Sequence, residues 1–465
     1  MFLCIIYSVR IIIYSAGEGT VKVQKKKVSG KKAEIKVPVI LADTKDDLSG
    51  AVIRCFDQFG GARALLKQSR DVYIKINAVD LKEFSYTDPE VLRHVIKYFK
   101  ERGARNIYVI ENCTQASFTR LVFKATGITD VCLETGAAPV YLDETEAVPI
   151  FLETLQEFID ISYFVYERLV LNREQNLYIS IPKLKTHSMS QVTLSIKNQF
   201  GFVHQFSRIA DHNYRLHQKF ADIYRYIRPD FSIVDGIVAT NHGHYIAFGN
   251  REQCVVPMDL LIAGQDSLAV DTVGAELMGY RVQDVEHLRL CRETGIGVGD
   301  MQKIEIINKN LFTERRKNLT HELLDDFPPD LKILRGKERC CKEGCRRNTE
   351  TVVEVFHRDH GGKGGFTILM GKGISTDDVR MLTGRVHIAG SCAIQEHGIE
   401  LVKRLGRSNV TMSHGCNNLA ETVEGLCVQM KVNPLKLVPI NPVSALMHLA
   451  KARLKGTKAN ITPVF

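Results

Sequence analysis

The segment Asp71–Asn112 constrains the fold more than any other. DVYIKIN and NIYVIEN are short runs of β-branched and aromatic residues, the composition of buried strands. Between them, TDPEVLRHVIKYFKERGA opens on Thr-Asp-Pro, repeats apolar residues at helical spacing and closes on Gly103. Strand, helix, glycine and strand in this order make the βαβ unit of a parallel sheet. QNLYISIPKL, DFSIVDGIV and MDLLIAGQD continue the strands, and SLAVDTVGAELMG reads as the helix after the last of them. A second set follows further on, in GGFTILMGKG, GRVHIAGSCA and SNVTMSHGCNN, then the helices LAETVEGLCVQMKV and NPVSALMHLAKARLKG. The expected class is α/β: two parallel-sheet α/β domains with ligand-binding loops at the carboxyl ends of the strands.

A chain of 465 residues exceeds a single small core, and its composition gives the boundaries. Residues 1–37 read as a basic N-terminal extension outside the fold. VKVQKKKVSGKKAEIK holds seven Lys and one Glu and accounts for much of the net charge of +9. Such a run reads as a solvated tail, and no nucleic-acid-binding module accompanies it. MFLCIIYSVRIIIYSAGEG is apolar but is interrupted by Arg10, too short to span a bilayer and without a charged leader. Residues 38–307 read as the first domain. Residues 308–338 are charged, contain DDFPPD and lack a strand pattern, which reads as a linker. Residues 339–465 read as the second domain. The 12 cysteines are scattered through the chain rather than set at the regular spacing of a disulfide scaffold, which suits a reducing, cytoplasmic setting.

Cys392 and Cys416 each follow a strand of the second set, at a loop that opens a helix. Cys341 and Cys345 are four residues apart, which on one helical turn places both sulfurs on the same face. These four thiolates match the number needed by a 4Fe–4S cluster or a tetrahedral zinc ion. The Gly- and Ser-rich loops favour the cluster. Helix N-termini at the loops would help hold an anionic group. Cys340 is interchangeable with Cys341 at this level, and Cys427, inside a helix, reads as core.

The first set of strands ends on a different chemistry. VYIKIN presents Lys75 and Asn77, and YISIPKLKTH presents Lys183, Lys185 and His187. VTLSIKNQFG brings Lys197 and Asn198, IVDGI brings Asp235, and the stretch after Phe206 adds Arg208, His212 and His217. Lysines and asparagines gathered at one sheet edge suit a carboxylate or phosphate. His187 could carry a proton or bind a metal, and Asp235 could orient a lysine. The competing readings are ordinary ones: a lysine at a strand end is usually solvated, and Asp266, ahead of a helix, reads as an N-cap. No Walker loop, G-x-G-x-x-G or G-x-S-x-G is present.

PKLKTHSMSQVTLSIKNQFGFV, then Arg208, His212, IRPDFSIVDGIVA and AGQDSLAVDTVGAELMG, resembles the domain of unknown function 362 family over about Pro38 to Glu305. The part after Glu338, with CKEGCRRNTE, GSCAIQEHG and NPLKLVPINPV, resembles the C-terminal region of some members. Other members carry a ferredoxin-type C-x-x-C-x-x-C segment, which this chain lacks. In VATNHGH, His242 and His244 stand where the family often has a glycine-rich acidic turn. The resemblance implies an iron–sulfur protein without a settled reaction. The expected function is therefore a redox or cluster-dependent protein acting on a small anionic substrate. Lys185, His187 and Lys197 would be catalytic. Lys75, Asn77, Lys183, Asn198, Arg208, His212 and Asp235 would bind the substrate, and Cys341, Cys345, Cys392 and Cys416 would be the ligands. An electron-transfer partner follows from that reading. The alternatives are a non-redox isomerase or racemase of a hydroxy acid, and a zinc-stabilised binding protein without catalysis.

Overall fold

Asp71–Ile76 shows how the sequence builds the first sheet. Val72, Ile74 and Ile76 bury on one face with Phe56, Val95 and Phe99, while Tyr73 buries on the other with Tyr178 and Ile223. Alternation then carries Lys75 onto the Tyr73 face at the strand's carboxyl end. The computed structural model describes residues 36–67 and 71–461, and all of them belong to one compact unit that begins at Lys36. The apolar opening and all but the last residue of the lysine-rich run lie outside the described residues.

The first sheet contains β1 (Val37–Asp43), β2 (Asp71–Ile76), β3 (Asn106–Glu111) and β4 (Ala138–Tyr141). A separate hairpin follows, of β5 (Ala147–Leu152) and β6 (Glu157–Ser162). The first sheet resumes with β7 (Asn176–Ile181), β8 (Lys183–His187), β9 (Gln191–Thr193), β10 (Phe231–Thr240), β11 (Val255–Gly264) and β12 (Ile304–Ile307). Its order is β12-β1-β11-β10-β7-β2-β3-β4, with β8 branching from β10 and pairing with β9. The pairs among β10, β7, β2, β3 and β4 are parallel. The expected βαβ unit is present, its crossover helix spanning Pro89–Glu101 behind an Asp88 cap.

The sheet departs from the all-parallel expectation at β11, which runs antiparallel to both β10 and β1. The β10–β11 connection has only short helical turns and no crossover helix to carry the chain back across the sheet. The carboxyl end of β11 therefore lies at the opposite edge from that of β10. Asp266, placed there, caps the Ser267–Leu277 helix by accepting from Ala269 N at 3.0 Å. Asp235 lies in the middle of β10, not at its end.

The second sheet is parallel, in the order β13 (Lys332–Arg335), β14 (Phe366–Met370), β15 (Arg385–Ala389) and β16 (Val410–Ser413). The stretch read as a strandless linker holds the Lys309–Arg315 helix and β13, an edge strand of four residues. So short a run, charged at both ends, gives no alternating signal in sequence. Two helices join the halves. Residues of the Arg347–His360 helix pack with Ala247 and Tyr245 from the loop after β10. On the Pro442–Leu454 helix, Ala445, Leu449 and Ala452 bury against Phe118 and Leu121 of the first half. A buried Leu such as Leu449 contributes about 1.5–3 kcal/mol. No described helix is long and apolar enough to cross a membrane.

Candidate functional site

The carboxyl ends of β2, β3 and β8 open onto a cavity of about 640 Å³. The Arg347–His360 helix forms the facing wall, with Asn348, Thr351, Val352, Val355, Phe356 and Asp359 in a stripe of helical spacing. Of the residues expected from sequence, Lys75, Asn77, Lys185, His187, Lys197, Asn198, Arg208 and His212 all line this one cavity. Lys75 and Asn77 stand at the carboxyl end of β2, Lys185 and His187 on β8, Lys197 and Asn198 on the turn Ser195–Asn198, Arg208 on the helix Gln205–Ala210 and His212 just after it.

Lys75 and Glu111, on adjacent strands, form an ion pair with both side chains 1% exposed. Glu111 also accepts from the backbone N–H groups of Ala78 at 2.6 Å and Asn112 at 2.8 Å. Burial pushes the Lys75 amine down while Glu111 pulls it back up. Asn198 donates to Lys75 O at 3.3 Å and Ser180 Oγ at 3.0 Å, and its Oδ1 accepts from Asn77 Nδ2 at 3.2 Å. Gly201 covers the pair so closely that a Cβ there would stand 2.7 Å from both Glu111 Oε1 and Lys75 Nζ. Gly201→Ala is therefore expected to push the pair apart, costing about 1–3 kcal/mol as an overpacked core does. Anion affinity would fall with it. Thermal unfolding and an anion titration of the variant check this, and an unchanged midpoint would contradict the packing described.

Lys183 and Asp235 do not line the cavity. They pair with each other at 2.9 Å, buried, and Asp235 also accepts from Asp88 N at 2.7 Å and Ile237 N at 3.1 Å. Their geometry ties β8 to β10 and to the cap of the Pro89–Glu101 helix. Among the described residues, the other two lysines have no carboxylate within ion-pair distance. Lys185 donates to Ser85 O. Burial, with Lys197 and Lys183 nearby, holds its amine well below the ordinary lysine value. Lys197 is held by no hydrogen bond or ion pair among the described residues, and its amine lies 5.4 Å from the Phe220 ring centroid. Burial, and then Lys75, push it down to about 7. The turn that presents it is fixed from below, where Asp271 accepts from Ser195 N and Ile196 N, each at 2.8 Å.

His187 stacks on His244 with ring centroids 3.6 Å apart and 2° between planes. Burial holds both imidazoles well below the ordinary histidine value, so both are neutral. Met189 N donates to His187 Nδ1 at 3.2 Å, which leaves the proton on Nε2. His242, by contrast, is tied to Glu322 O at 2.9 Å and does not line the cavity. His217 pairs with His287, Nδ1 to Nδ1 at 3.1 Å, behind Phe220 rather than in the cavity.

Five buried polar atoms on lining residues have no partner among the described residues: Asn77 Oδ1, Asn112 Oδ1, Ser117 Oγ, Arg208 Nε and His244 Nδ1. Buried polar groups are rarely left unpaired, so these mark places for a polar ligand or water. Glu111 and Asn112 end NIYVIEN just as Lys75 and Asn77 end VYIKIN, and the same strand-end reasoning applied to the second strand finds them. Asp80 and Tyr245 also line the cavity, and burial raises the carboxyl of Asp80 above its ordinary value. Their loops carry no periodic signal.

The cysteines gather at the carboxyl edge of the second sheet. Cys341 precedes the helical turn Lys342–Arg346, which carries Cys345 into the Arg347–His360 helix. Cys392 follows β15 and Cys416 follows β16. Burial pushes the Cys345 thiol up to about 12, and the thiols of Cys341, Cys340, Cys392 and Cys416 lie within electrostatic reach of it. Arg339 Nε donates to Cys341 Sγ at 3.1 Å. Gly390, at φ +86°, leaves a hollow in which a Cβ would stand 2.6 Å from Cys345 Sγ. Cys340 is part-buried among apolar side chains, and Cys427 lies in the core of the second half. Among the described residues, no three His, Cys, Asp or Glu side chains stand close enough to share one metal ion.

Beneath this edge His387 is buried, 3.0 Å from Thr411 Oγ1 through Nδ1, and burial holds it down to about 4. The unfolded chain then binds more protons than the folded one between about pH 4 and pH 6.5. The stability held by a neutral His387 is present above that window and is lost as pH falls through it. Wild type is expected to lose stability faster on acidification than His387→Gln, by up to about 1.4 kcal/mol per pH unit. Urea unfolding of both proteins across the window checks it; parallel losses would contradict it.

The two centres meet at Asn213. Its Nδ2 donates to Cys416 O at 2.7 Å, its Oδ1 is hydrogen-bonded to His212 Nδ1, and both side chains line the cavity. Asn348, also in the lining, donates to Asn417 O at 2.9 Å. The cysteine edge thus forms the back of one cavity wall.

No curated protein matches the chain. A crystal structure of a Thermotoga maritima protein is similar at 10% identity with a TM-score of 0.35, the match covering 81% of this chain and 82% of that one. Residues 72–276 match the sequence profile of the family described as domain of unknown function (DUF362). That span runs from β2 into the Ser267–Leu277 helix and includes Lys75, Lys185, His187, Lys197, His212 and His244 of the cavity, while His360 and Lys436 of its lining lie outside it. Over this segment the chain is similar to the DUF362 family.

Proposed function

We propose that the protein is an iron–sulfur protein in which the cavity takes a small anionic substrate and Cys341, Cys345, Cys392 and Cys416 hold a 4Fe–4S cluster. The observation that carries this reading is the shared wall, where Asn213 touches the backbone of Cys416 on one side and His212 on the other. The donor set fits the group. A single ion with metal–sulfur bonds of about 2.3 Å draws its thiolates to about 3.8 Å from one another, whereas a cluster spreads its ligands over separate irons. The thiols of Cys340, Cys341, Cys392 and Cys416 within electrostatic reach of Cys345 supply the donor chemistry that such a cluster takes. Such a cluster, when bound, supplies one-electron transfer or a Lewis-acidic iron.

The chain's own residues do the rest. Arg208 supplies a buried fixed charge for a carboxylate or phosphate, since its guanidinium stays protonated. Asn77, Asn112 and Asn198 offer amide groups to orient it. Asn198 holds Asn77, and the Lys75–Glu111 pair holds Asn112. His187 can donate from Nε2, and His244, neutral with its Nδ1 unpartnered, can accept from the substrate. Lys185→Ala is expected to lose binding of a small carboxylate while keeping its metal. Calorimetry and iron analysis of the same sample test this. Binding that survives the substitution would remove the cavity from the proposal.

The stacked imidazoles favour one further reading. A neutral donor on His187 stacked on an unpartnered acceptor on His244 also suits proton exchange at the carbon of a hydroxy acid, an isomerase without electron transfer. Nickel or an organic cofactor in the purified protein, in place of iron and sulfide, would support it.

A further inference from the structure

Four lysines of the first half, with Lys75, Lys183 and Lys185 buried and Lys197 part-buried, divide into two chemical kinds. Lys75 and Lys183 are neutralised by Glu111 and Asp235. Lys185 is held by a backbone carbonyl, and Lys197 has neither a hydrogen-bond nor an ion-pair partner among the described residues. Lys197 lines the cavity with Lys75 as its neighbouring cation, on a turn whose start Asp271 fixes. Its charge is felt by Lys185, His187, His212, His217, His244 and His287, and no carboxylate touches its amine. An ion pair would keep a lysine protonated and inert. A desolvated lysine beside another cation is the arrangement that frees the amine for attack.

We propose that Lys197 is the nucleophile of the cavity and that the substrate is an oxo acid, its carboxylate gripped by Arg208 and its carbonyl carbon attacked by the Lys197 amine. The inference rests on the anion-binding part of the proposed function and adds the carbonyl. Condensation forms a carbon–nitrogen double bond and breaks the carbon–oxygen double bond. Both amine hydrogens leave with the carbonyl oxygen as water, so the step needs no oxidant or reductant. Arg208 is placed for its part because its Nε is buried, unpartnered and on a residue of the lining, while Nη2 is anchored to Cys113 O at 2.6 Å. Asn77 Oδ1 and Asn112 Oδ1, also unpartnered, are acceptors for the carbinolamine hydroxyl or the departing water. Lys197 held down to about 7 by burial and by Lys75 leaves a substantial share of free amine at neutral pH.

The test treats the full-length protein with pyruvate and cyanoborohydride, which converts an imine into a stable secondary amine, and maps the product by peptide mass spectrometry. One carboxyethyl group is expected on Lys197, exceeding that on any exposed lysine by about tenfold or more. Lys197→Arg should abolish it, and Lys403→Arg, at an exposed lysine outside the cavity, should retain it. Lactate, which carries the carboxylate but cannot form an imine, is titrated by calorimetry in parallel. Lactate binding without labelling of Lys197 would overturn the nucleophile while leaving the anion site standing. Neither binding nor labelling would overturn both, and labelling spread evenly over surface lysines would overturn the nucleophile.

Discussion

Glu111→Ala is expected to cost about 3–5 kcal/mol of folding stability, the usual result of removing one partner from a buried ion pair. Lys75 would remain 1% exposed with no acid beside it, and the N–H groups of Ala78 and Asn112 would each lose their acceptor. Part of the cost would be relieved as Lys75 gives up its proton, because burial already pushes that amine down. Lys75→Met with Glu111→Leu separates structure from function. An apolar pair of similar volume is often as stable as the ion pair it replaces. The double variant should therefore recover much of the stability and none of the anion binding. Denaturant unfolding and carboxylate calorimetry on both proteins decide the matter. A single variant within about 0.5 kcal/mol of wild type would mean that the pair is not the strut described here.

The second large effect concerns the cysteine edge. On the proposed reading, Cys345→Ser should lose the cluster, since it removes the thiol that lies within electrostatic reach of the other four. Gly390→Ala should do nearly as much without touching a sulfur. It places a methyl 2.6 Å from Cys345 Sγ on backbone at φ +86°, a conformation that alanine resists. Disturbing the support of a ligand typically weakens metal affinity about 10–100-fold. Cys427→Ser is the control, because Cys427 is core and its thiol is pushed up to about 12 by burial. Iron content and visible absorption should fall in the first two proteins and hold in the third. Equal loss in all three would point to general unfolding instead.

Much of this was legible in the chain because strand ends are legible. Apolar runs of VYIKIN type mark where a strand stops, and a parallel sheet gives those stops a common edge. That logic collected Lys75, Asn77, Lys185, His187, Lys197 and Asn198 into one cavity. It failed where a strand's direction or length could not be read. β11 runs antiparallel, so its carboxyl end lies at the far edge, where Asp266 is the N-cap its sequence position indicates, and β10 continues past Asp235 to Thr240, which leaves Asp235 inside a buried pair with Lys183. The wall formed by the Arg347–His360 helix was hidden for another reason. Its cavity-facing stripe mixes Asn348, Thr351 and Asp359 with Val352, Val355 and Phe356, and no sequence pattern states which surface a mixed stripe will meet. Asn213, the bridge between the two centres, is a single amide in a loop. Its role exists only once two distant segments have folded together.

The central claim is that the cysteine edge behind the cavity holds an iron–sulfur cluster. Iron, zinc and acid-labile sulfide measured on anaerobically purified full-length protein test it most directly. The account predicts a brown protein with iron and sulfide in equal amounts, about four of each per chain, and little zinc. A colourless protein with one zinc and no sulfide would contradict it.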